Sequence, residues 1–414
     1  MADHDVIVVG AGAAGLAATR TLLERGMSVV ALEARNRIGG RAWTDHETFG
    51  VPFDRGCAWL HAAEVNPWRN IAAELGFTVI EKDPAWQGRV GSRRLGESED
   101  ADWDRAIEAK FAAIAAAGKA GRDVPASTVV DRDGPWSRLF EAIVTWYASI
   151  EIDRLSTRDV GNGLNGGHDW PIVEGYGALV ARYGAGLPVS LATPATRIAW
   201  IGSGVVVETP GGTVHGRAAI IAVPTAVLAN GGIVFDPPLP VAKQEAVHNL
   251  PLGCADKIAL QIDGNPFGMA PMSHATGRSD TVRTANYQFF PFGQPLVIGY
   301  VGGSFARELE SAGERAMAAF AVDELVDIFG ADVRRRVVKS AVTAWGSDPY
   351  IGGGYSAARP GHAHRRLDLA APVDGTLYFA GEACSVDNFA TCHGAYLTGV
   401  AAAHAAADAL QRGP

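Results

Sequence analysis

The stretch from Asp5 to Glu33 reads DVIVVGAGAAGLAATRTLLERGMSVVALE, and it decides the fold of the chain. It begins with the β-branched run Val6–Val9, continues through a segment rich in Ala and Leu, and ends in a second apolar run, Ser28–Leu32. A strand, a helix and a strand that follow one another within about 30 residues form a βαβ unit. This stretch therefore predicts an α/β fold with a parallel sheet.

Three glycines lie at the turn between the first strand and the helix. Gly10, Gly12 and Gly15 have the spacing G-x-G-x-x-G, which permits a tight turn, close approach to a pyrophosphate and close packing of helix on strand. Because free N–H groups and the helix dipole favour an anion at a helix N-terminus, the pyrophosphate is expected beside Gly12 and Ala14. Glu33 is placed to accept hydrogen bonds from ribose hydroxyls. The stretch predicts a site for an adenine dinucleotide.

Composition and charge limit the partners of the chain. Its 414 residues, of which 48% are hydrophobic and 20% are charged, are typical of a soluble globular protein with two or three interleaved domains. The net charge is -9 and no basic block occurs, so no nucleic-acid partner is expected. A mildly acidic protein favours cationic small molecules instead.

The cysteines and the apolar segments indicate a compartment. Cys57, Cys254, Cys384 and Cys392 form no C-x-x-C pair, so neither a metal site nor a disulfide framework is expected. The first strand begins too early to leave room for a signal peptide. No apolar segment of about 18 residues lacks a charge or a breaker, so no membrane partner is expected. The sequence therefore predicts a cytoplasmic protein.

The segment after the second strand reads ARNRIGGR, and its two glycines, the second of which is Gly40, allow a sharp turn. An arginine directly after such a turn can bind a phosphate through two hydrogen bonds. The series L-E-A-R-x-R-x-G-G-R, following the dinucleotide fingerprint, resembles the flavin-containing amine oxidase family, whose members bind FAD. The resemblance implies that Arg41 contacts the pyrophosphate and that Ala34 and Arg35 lie beside the adenosine half.

The next motif is DRGCAWLH, which ends at His61 and is followed by Asn66-Pro67. It is similar to the family stretch that passes along the isoalloxazine ring, which implies that Ala58 and Trp59 contact the flavin. The form W-x-H…N-P resembles the spermine and N-acetylpolyamine oxidase branch more than the monoamine oxidase branch. His61 is expected either to align an amine substrate or to be a hydrogen-bonded structural residue.

A lysine precedes the alternating apolar strand in the segment LGCADKIAL. Lys257 resembles the family lysine that hydrogen-bonds a water at flavin N5. Desolvation near the flavin would lower the pKa of such a lysine. The resemblance therefore implies a role for Lys257 in the reaction with O2.

The motif W-x-x-D-P…G-x-Y-S follows at residues 345–356. It resembles the family closely, which implies that Trp345 lies near the flavin and that Tyr355 forms one wall of the substrate cage. Gly354 occupies the position where monoamine oxidases carry the cysteine that links covalently to FAD. Noncovalent FAD is therefore expected.

The last motif joins LYFAGEAC to ATCHGAYLTG. A strand, a G-E turn and a helix bring N–H groups towards anionic atoms, and the resemblance implies that Gly381, Glu382 and Ala395 contact FAD. The form T-x-H-G-A again resembles the polyamine oxidase branch. Thr391 stands where many relatives carry a second cage tyrosine, so it is expected to line the flavin and substrate site without completing a two-tyrosine cage.

Hydrophobic periodicity and turn signals place the other elements. They predict helices at Asn66–Gly76, within Ser98–Ile152 and at Glu314–Phe329, a short strand at Phe77–Glu81, and a loop at Gly161–Gly167.

A meander follows Ile172. By resemblance its first strand lies over the adenine, so Thr196 and Arg197 are candidates for backbone contacts with FAD. The predicted architecture is a discontinuous Rossmann-like FAD-binding domain with a doubly wound sheet and a mixed α+β substrate domain with a helical insertion. The predicted bounds are 1–80, 172–245 and 345–414 for the FAD domain, and 81–171 and 246–344 for the substrate domain.

The predicted function is FAD-dependent oxidation of an amine C–N bond to an imine, which is hydrolysed to an aldehyde and an amine while O2 is reduced to H2O2. The expected partners are O2 and a cationic amine, either a polyamine or an N-substituted polyamine, and the chain is expected to be a monomer or a homodimer. Two alternatives stay open. One is another flavoenzyme of this fold, such as an L-amino acid oxidase, a desaturase or a porphyrinogen oxidase-like enzyme; the other is a nonenzymatic FAD-bound scaffold.

Overall fold

The computed structural model describes residues 2–84, 89–163, 167–200 and 204–412. Its strands, in chain order, are β1 (His4–Val9), β2 (Val29–Leu32), β3 (Thr44–Asp45), β4 (Phe53–Asp54), β5 (Trp59–Leu60), β6 (Arg89–Val90), β7 (Arg93–Arg94), β8 (Trp170–Pro171), β9 (Val189–Ser190), β10 (Arg197–Ala199), β11 (Val205–Thr209), β12 (Gly212–Ile221), β13 (Val234–Asp236), β14 (Ala255–Ile262), β15 (Ser273–Thr276), β16 (Asn286–Phe289), β17 (Leu296–Gly302), β18 (Val337–Val342) and β19 (Leu377–Phe379). Its α-helices are α1 (Ala13–Glu24), α2 (Pro67–Leu75), α3 (Glu97–Lys119), α4 (Ser137–Ala148), α5 (Thr157–Asn162), α6 (Tyr176–Gly184), α7 (Thr225–Ala229), α8 (Val241–Asn249), α9 (Gly303–Ala312), α10 (Glu314–Phe329), α11 (Asp332–Arg336), α12 (Arg365–Ala370) and α13 (Cys392–Arg412).

The first sheet contains the predicted βαβ unit. Its strand order is β13-β10-β11-β12-β1-β2-β9, and β19 also pairs with β12. β1 is parallel to both β2 and β12, which confirms the α/β fold class. The glycines of the turn explain its shape, because a Cβ on Gly15 would lie 1.8 Å from the Gly10 carbonyl oxygen. The N-terminus of α1 therefore lies tightly against the end of β1.

The C-terminal helix α13 packs on α1. A Cβ on Gly399 would lie 2.1 Å from the carbonyl oxygen of Ala14, so only glycine permits this distance between the two helices. The N-termini of both helices are consequently brought to the same side of the first sheet.

The second sheet has the order β18-β14-β17-β16-β15-β6-β7. Its central strands β14, β17 and β16 are antiparallel to their neighbours. Their apolar side chains pack with α9 and α10 in one core cluster, which includes Ile258, Tyr287 and Leu325. The helix predicted at Glu314–Phe329 is confirmed as α10.

In the chain, α3, α4 and α5 come after β7 of the second sheet and before β9 of the first sheet. The helical insertion is predicted at this place. α3 and α5 cross closely, because a Cβ on Gly118 would lie 2.0 Å from the Thr157 carbonyl oxygen. The loop predicted at Gly161–Gly167 is partly wrong, since α5 continues to Asn162, and residues 164–166 lie outside the described ranges. The short strand predicted at Phe77–Glu81 is also wrong. This segment makes one isolated β-bridge, from Val79 to Ile172. Among the described residues no second bridge follows it, so the pairing does not extend into a strand.

A buried ion pair joins the insertion to the C-terminal part of the chain. The Arg366 guanidinium donates to both carboxylate oxygens of Asp159, at 2.7 Å each, and both side chains are fully buried. Arg366 also donates to the Ser356 hydroxyl at 2.9 Å. Because a buried charge is stable only when it is paired and hydrogen-bonded, this network fixes α5 against α12.

Among the described helices, none is both long enough and apolar enough to cross a membrane.

Candidate active site

One cavity of about 870 Å³ connects the β1–α1 turn with α3 and α4. A volume of this size is within the range of sites that enclose small-molecule ligands, about 300–1,000 Å³. The residues predicted from the sequence that line it are Gly10, Gly12, Ala14, Glu33, Ala34, Arg35, Gly40, Arg41, Ala58, Trp59, His61, Thr196, Lys257, Trp345, Tyr355, Gly381, Glu382, Thr391 and Ala395. The fold therefore brings together residues that are almost 400 positions apart in the chain.

The helix N-terminus in this cavity suits an anion. Gly12 is the N-cap of α1 and offers no side chain to its first-turn N–H groups. Gly12, Ala13 and Ala14 all line the cavity. A Cβ on Gly40 would lie 3.2 Å from the Gly12 Cα, so the two glycine turns form one narrow cradle of backbone. The open N–H groups and the helix dipole fit a pyrophosphate.

Glu33 is held in place by backbone groups. One of its carboxylate oxygens accepts a hydrogen bond from the Ala11 N–H at 2.8 Å, and the other accepts one from the Arg35 N–H at 2.9 Å. Each carboxylate oxygen can accept a second hydrogen bond. Because Glu33 is buried and lines the cavity, it fits the ribose hydroxyls of a dinucleotide.

Arg41 connects three motifs that are distant in the sequence. Its guanidinium donates to the Gly354 carbonyl at 2.6 Å and to the Glu382 carboxylate at 3.0 Å. Burial opposes ionisation of Glu382, but the charge of Arg41 and the hydrogen bond from the Ser356 hydroxyl outweigh it and lower the pKa of Glu382. Arg35, in contrast, is paired with Asp348.

Lys257 is buried beside the cavity. Its ammonium donates to the carbonyls of Asp54 at 2.7 Å and Gly56 at 2.6 Å, which leaves one of its three N–H groups for another acceptor. Burial lowers the pKa of Lys257 to about 8. The rings of Trp59 and Tyr300 lie 5.9 and 5.5 Å from its nitrogen. The Lys257 ammonium therefore loses its proton at a pH close to neutral.

Aromatic side chains form further walls. The Trp345 indole donates to the Arg55 carbonyl at 3.3 Å and lies edge to face with Trp43, with a centroid distance of 6.5 Å. The Tyr355 hydroxyl donates to the carbonyl of Trp146, which anchors it to α4. Burial raises the pKa of Tyr355 above its usual value, so this phenol is neutral.

The structure places His61 beside a carboxylate. Its Nδ1 lies 2.7 Å from the Asp169 carboxylate, and the His61 side chain is 49% exposed. Both residues line the cavity and are partly exposed, so His61 is open to a ligand while it is hydrogen-bonded to Asp169, and its two expected roles stay predictions.

Thr391 serves its own helix. Its hydroxyl accepts from the Gly394 N–H at 3.0 Å and donates to the Asn388 carbonyl at 2.6 Å. Thr391 thus caps α13 and has no hydroxyl proton left for a substrate. It lines the cavity, but it has no group that could act in place of a cage tyrosine.

Two residues predicted to contact the cofactor do not line the cavity. Gly15 acts only by packing, as its distance from Gly10 shows. Arg197 is directed elsewhere, because its guanidinium pairs with Glu208 at 2.6 Å and with Asp236. Successive residues of a strand point to opposite faces, so Thr196 can line the cavity while Arg197 does not. The Arg197 side chain is thus engaged away from the cavity, and its expected backbone contact with FAD stays a prediction.

A polar network that the sequence does not indicate holds the His61 segment. The Asn66 side chain caps α2 and donates to the His61 carbonyl at 2.9 Å. The same amide nitrogen lies 3.3 Å from Nδ1 of His393. The other ring nitrogen of His393, Nε2, lies 3.0 Å from the side-chain oxygen of Asn388. Burial lowers the pKa of His393 to about 4, so it is neutral. The N-P and T-x-H motifs contain these residues, but nothing in either motif indicates that they meet.

Comparisons with known proteins identify the class. The family model for flavin containing amine oxidoreductases matches residues 13–126 and 86–407. The chain is 30% identical to polyamine oxidase 4 of Oryza sativa subsp. japonica, over 96% of this chain and 87% of that protein. It is 31% identical to polyamine oxidase 2 of Arabidopsis thaliana, again over 96% of this chain and 87% of the relative. Its fold is similar to that of cyclohexylamine oxidase from Brevibacterium oxydans, with a TM-score of 0.82 and 22% identity over 99% of this chain and 100% of the other.

The chain therefore belongs to the flavin containing amine oxidoreductase family, which confirms the resemblance of its motifs. It is an FAD-dependent amine oxidoreductase whose substrates are an amine and O2. FAD, when bound, supplies the acceptor for a hydride from the amine and returns the electrons to O2. The N-terminus of α1 would hold the pyrophosphate of FAD, and Glu33 would hold its ribose. The cavity wall around Lys257 and Trp345 would enclose the flavin ring.

Proposed function

We propose that the protein oxidises a secondary amine within a polyamine, preferably an N-substituted polyamine that carries one distal ammonium group. The observation that carries the proposal is Asp169, a carboxylate that lines a cavity whose other walls there are mostly apolar. Its partner His61 is half exposed, so the distal ammonium of a substrate can take the place of the imidazole.

The apolar walls suit a methylene chain. They are supplied mainly by the helical insertion, with Trp103, Ile107, Phe111, Ile143, Trp146, Tyr147, Leu155 and Val160. Such walls exclude water, and aromatic faces also attract cationic groups. A chain of methylenes with an acyl or alkyl end group therefore fits this part of the cavity.

The number of available carboxylates favours a substrate with few charges. Among the described cavity residues, the carboxylates are Glu33, Asp169, Asp256 and Glu382. Glu33 and Asp256 accept hydrogen bonds from backbone N–H groups, and Glu382 is paired with Arg41. Asp169 alone among these four is partnered by an exposed side chain. One available carboxylate matches one distal ammonium, as in an N-acetylated polyamine.

More negative charge surrounds Asp169. The Asp83 carboxylate accepts from the Asp169 N–H at 2.7 Å and lies 2.6 Å from Nδ1 of His168. The hydrogen bond that the His168 imidazolium donates to Asp83 raises the pKa of His168. Glu64 lies 3.6 Å from the other nitrogen of this histidine. This local excess of carboxylates favours approach of a cation, an effect that salt would weaken.

We propose the following roles for the other residues. Lys257, through a water, promotes the reaction with O2; Trp345 and Tyr355 confine the amine; and His61 aligns it. Oxidation requires a neutral reacting nitrogen close to the hydride acceptor, and placement supplies most of the acceleration. No acid–base pair is needed if the amine enters deprotonated.

A variant of Asp169 tests the substrate proposal. Asp169→Asn should weaken the apparent binding of N1-acetylspermidine, which keeps one distal ammonium when its secondary amine reacts, by about threefold to tenfold in anaerobic flavin reduction, or about 0.7–1.4 kcal/mol, because the ion pair is partly screened by solvent. Binding of cyclohexylamine should not change. Asp153→Asn is the matched control, since Asp153 pairs with Arg132 in solvent and does not line the cavity.

The comparison of substrates completes the test. N-acetylspermine, spermine and spermidine should reduce the flavin faster than benzylamine and tyramine at equal concentration. If the aryl monoamines are faster by tenfold, about 1.4 kcal/mol, the polyamine assignment fails and only amine oxidation remains.

A second candidate is oxidation of an apolar monoamine. The observation that favours it is the aromatic and aliphatic lining from α3 and α4, which would also enclose a cycloalkyl group. This candidate predicts that Asp169→Asn leaves all rates unchanged and that cyclohexylamine is the best substrate. The same experiment therefore separates the two candidates.

We also propose the predicted division into an FAD domain (1–80, 172–245, 345–414) and a substrate domain (81–171, 246–344). The positions in the chain of the strands that form each sheet support this division. Every strand of the first sheet falls within the first set of ranges, and every strand of the second sheet falls within the other. The four cysteines are free thiols, which supports the cytoplasm as the compartment. The chain is proposed to be a monomer or a homodimer.

A further inference from the structure

Asp256, the residue before Lys257, is buried next to the active site and is only 3% exposed. One of its carboxylate oxygens accepts from the Thr343 hydroxyl at 2.7 Å and from the Trp345 N–H at 3.1 Å. The Thr343 hydroxyl in turn accepts from the Lys257 N–H at 2.8 Å. Asp256 is therefore tied to the backbone of two residues that line the cavity.

A second carboxyl group approaches Asp256 from α9. Side-chain ligand atoms of Glu310, Asp256 and Cys254 all lie within 4.8 Å of one another. Glu310 accepts from the Gly346 N–H at 2.7 Å, directly after Trp345 in the chain. The Cys254 thiol lies 3.4 Å from the second oxygen of Asp256 and donates to it. Both carboxyl groups therefore hold the segment that carries Trp345.

In the part of the chain that the structure describes, no cation lies within ion-pair distance of these two carboxyl groups. Among the ion pairs of the described residues, none includes Asp256 or Glu310. The ammonium of Lys257 is bound to the carbonyls of Asp54 and Gly56, and the charge of Arg307 acts on Cys254. Two neighbouring carboxylates, one buried (Asp256) and one partly buried (Glu310), repel each other, and the repulsion is removed when one of them is protonated.

We propose that Asp256 and Glu310 share one proton and that this carboxyl pair positions Lys257 and Trp345 against the cavity. Burial and the neighbouring Glu310 raise the pKa of Asp256 well above its usual value, in agreement with the geometry. The protonated group donates to the other carboxylate, while the remaining oxygens accept from Thr343, Trp345 and Gly346. The inference rests on the proposed roles of Lys257 and Trp345 in the reaction.

Asp256→Asn tests the shared proton. The amide oxygen can accept the bonds from Thr343 and Trp345, while the amide nitrogen donates to Glu310, as the shared proton does. Since the folded-state pKa of Asp256 is raised, the wild-type protein binds an extra proton when folded and loses stability as pH rises above the unfolded pKa of Asp256. The variant lacks this loss.

The measurement is the difference in Tm between the variant and the wild type, both with FAD bound. The Tm of Asp256→Asn minus the Tm of the wild type should rise by about 2 °C or more between pH 5 and pH 8. Glu310→Gln should give a shift in the same direction, because either amide can replace the shared proton. Glu308→Gln is the control, since Glu308 lies on the same helix and pairs with Arg283 in solvent. A difference that is constant, or that shifts in favour of the wild type, overturns the shared proton.

Positioning is tested by catalysis. Asp256→Leu removes the acceptor for Thr343 and Trp345, so kcat should fall at least tenfold with little change in KM, while Asp256→Asn should recover most of the lost kcat. Equal activity of the Leu and Asn variants would refute the positioning role. If Asp256→Leu does not fold, the Tm comparison still decides the shared proton, and it needs no substrate, so it stands apart from any failure of the amine assignment. If EDTA lowers the Tm of the wild type but not of Asp256→Asn, the cluster binds a metal and the proposal is wrong.

Discussion

The titration of Lys257 should be visible in the reaction of the reduced enzyme with O2. Electron transfer to O2 places negative charge on oxygen, and a fixed cation stabilises that charge. Lys257 lies in the cavity wall with its ammonium bound to the Asp54 and Gly56 carbonyls, and burial lowers its pKa to about 8. The ammonium form is therefore present below pH 8 and is lost above it.

The pKa sets the size of the effect. A group with a pKa of about 8 is roughly nine-tenths protonated at pH 7 and one-tenth protonated at pH 9. If the cation is required, the rate constant of reoxidation should fall about tenfold over this interval, which corresponds to about 1.4 kcal/mol in the barrier. Lys257→Met should be slow at both pH values and show no pH dependence. Lys257→Arg, whose charge persists above pH 12, should show no fall between pH 7 and 9.

The assay separates the two half-reactions. The enzyme is reduced by an amine without oxygen, then mixed rapidly with oxygenated buffer, and the return of flavin absorbance is followed. Anaerobic reduction by the amine should change less in Lys257→Met than reoxidation does. An effect of the substitution confined to the reduction step would refute the role of Lys257, and so would a pH-dependent reoxidation that persists in Lys257→Met.

Three further predictions concern cofactor binding and stability. Glu33→Ala removes the ribose acceptor, so FAD binding should weaken by about 1–3 kcal/mol, and less flavin should remain bound after gel filtration; unchanged retention would remove Glu33 from the site. Because Gly354 replaces a linking cysteine, acid denaturation should release the flavin into the supernatant, and colour in the pellet would contradict noncovalent binding. Arg366→Met leaves the buried Asp159 carboxylate without a positive partner and should lower the free energy of unfolding by about 3–5 kcal/mol in chemical denaturation. Adding Asp159→Leu should recover part of this loss, whereas an additive further loss would show that the ion pair is not the cause.

The sequence predicts those parts of the fold that depend on local patterns. The βαβ unit and α10 are found where the periodicity of apolar residues places them. The strands β15 and β16 gave no such signal, because buried positions in them are polar. His274 and Asn286 face each other at 2.8 Å, and Gln288 accepts from Tyr300 at 3.0 Å. Each of these groups is stable in the interior only through a partner in a neighbouring strand, and that partner is not apparent from local sequence.

The candidate site shows the same limit. Gly12 could be predicted from the sequence because the glycine spacing has a local physical reason, and Trp345 could be predicted because its motif resembles the family. Asp169 and Glu310 could not, since a single carboxylate in a loop or a helix resembles any solvated charge. Their environments depend on contacts with His61 and Asp256, which come from segments 108 and 54 residues away in the chain.

The cavity wall formed by α3 could not be predicted from the sequence for a different reason. Trp103, Ile107, Phe111 and Ile114 follow one apolar stripe of α3, and such spacing is typical of a helix face that packs into a core. Ile114 does so and is fully buried, but the first three line the cavity. Both environments exclude water and accept the same side chains, so periodicity cannot separate a core position from a ligand-binding wall. Along α3 the apolar stripe passes from the cavity wall to the core between Phe111 and Ile114, and only the structure shows where this change occurs.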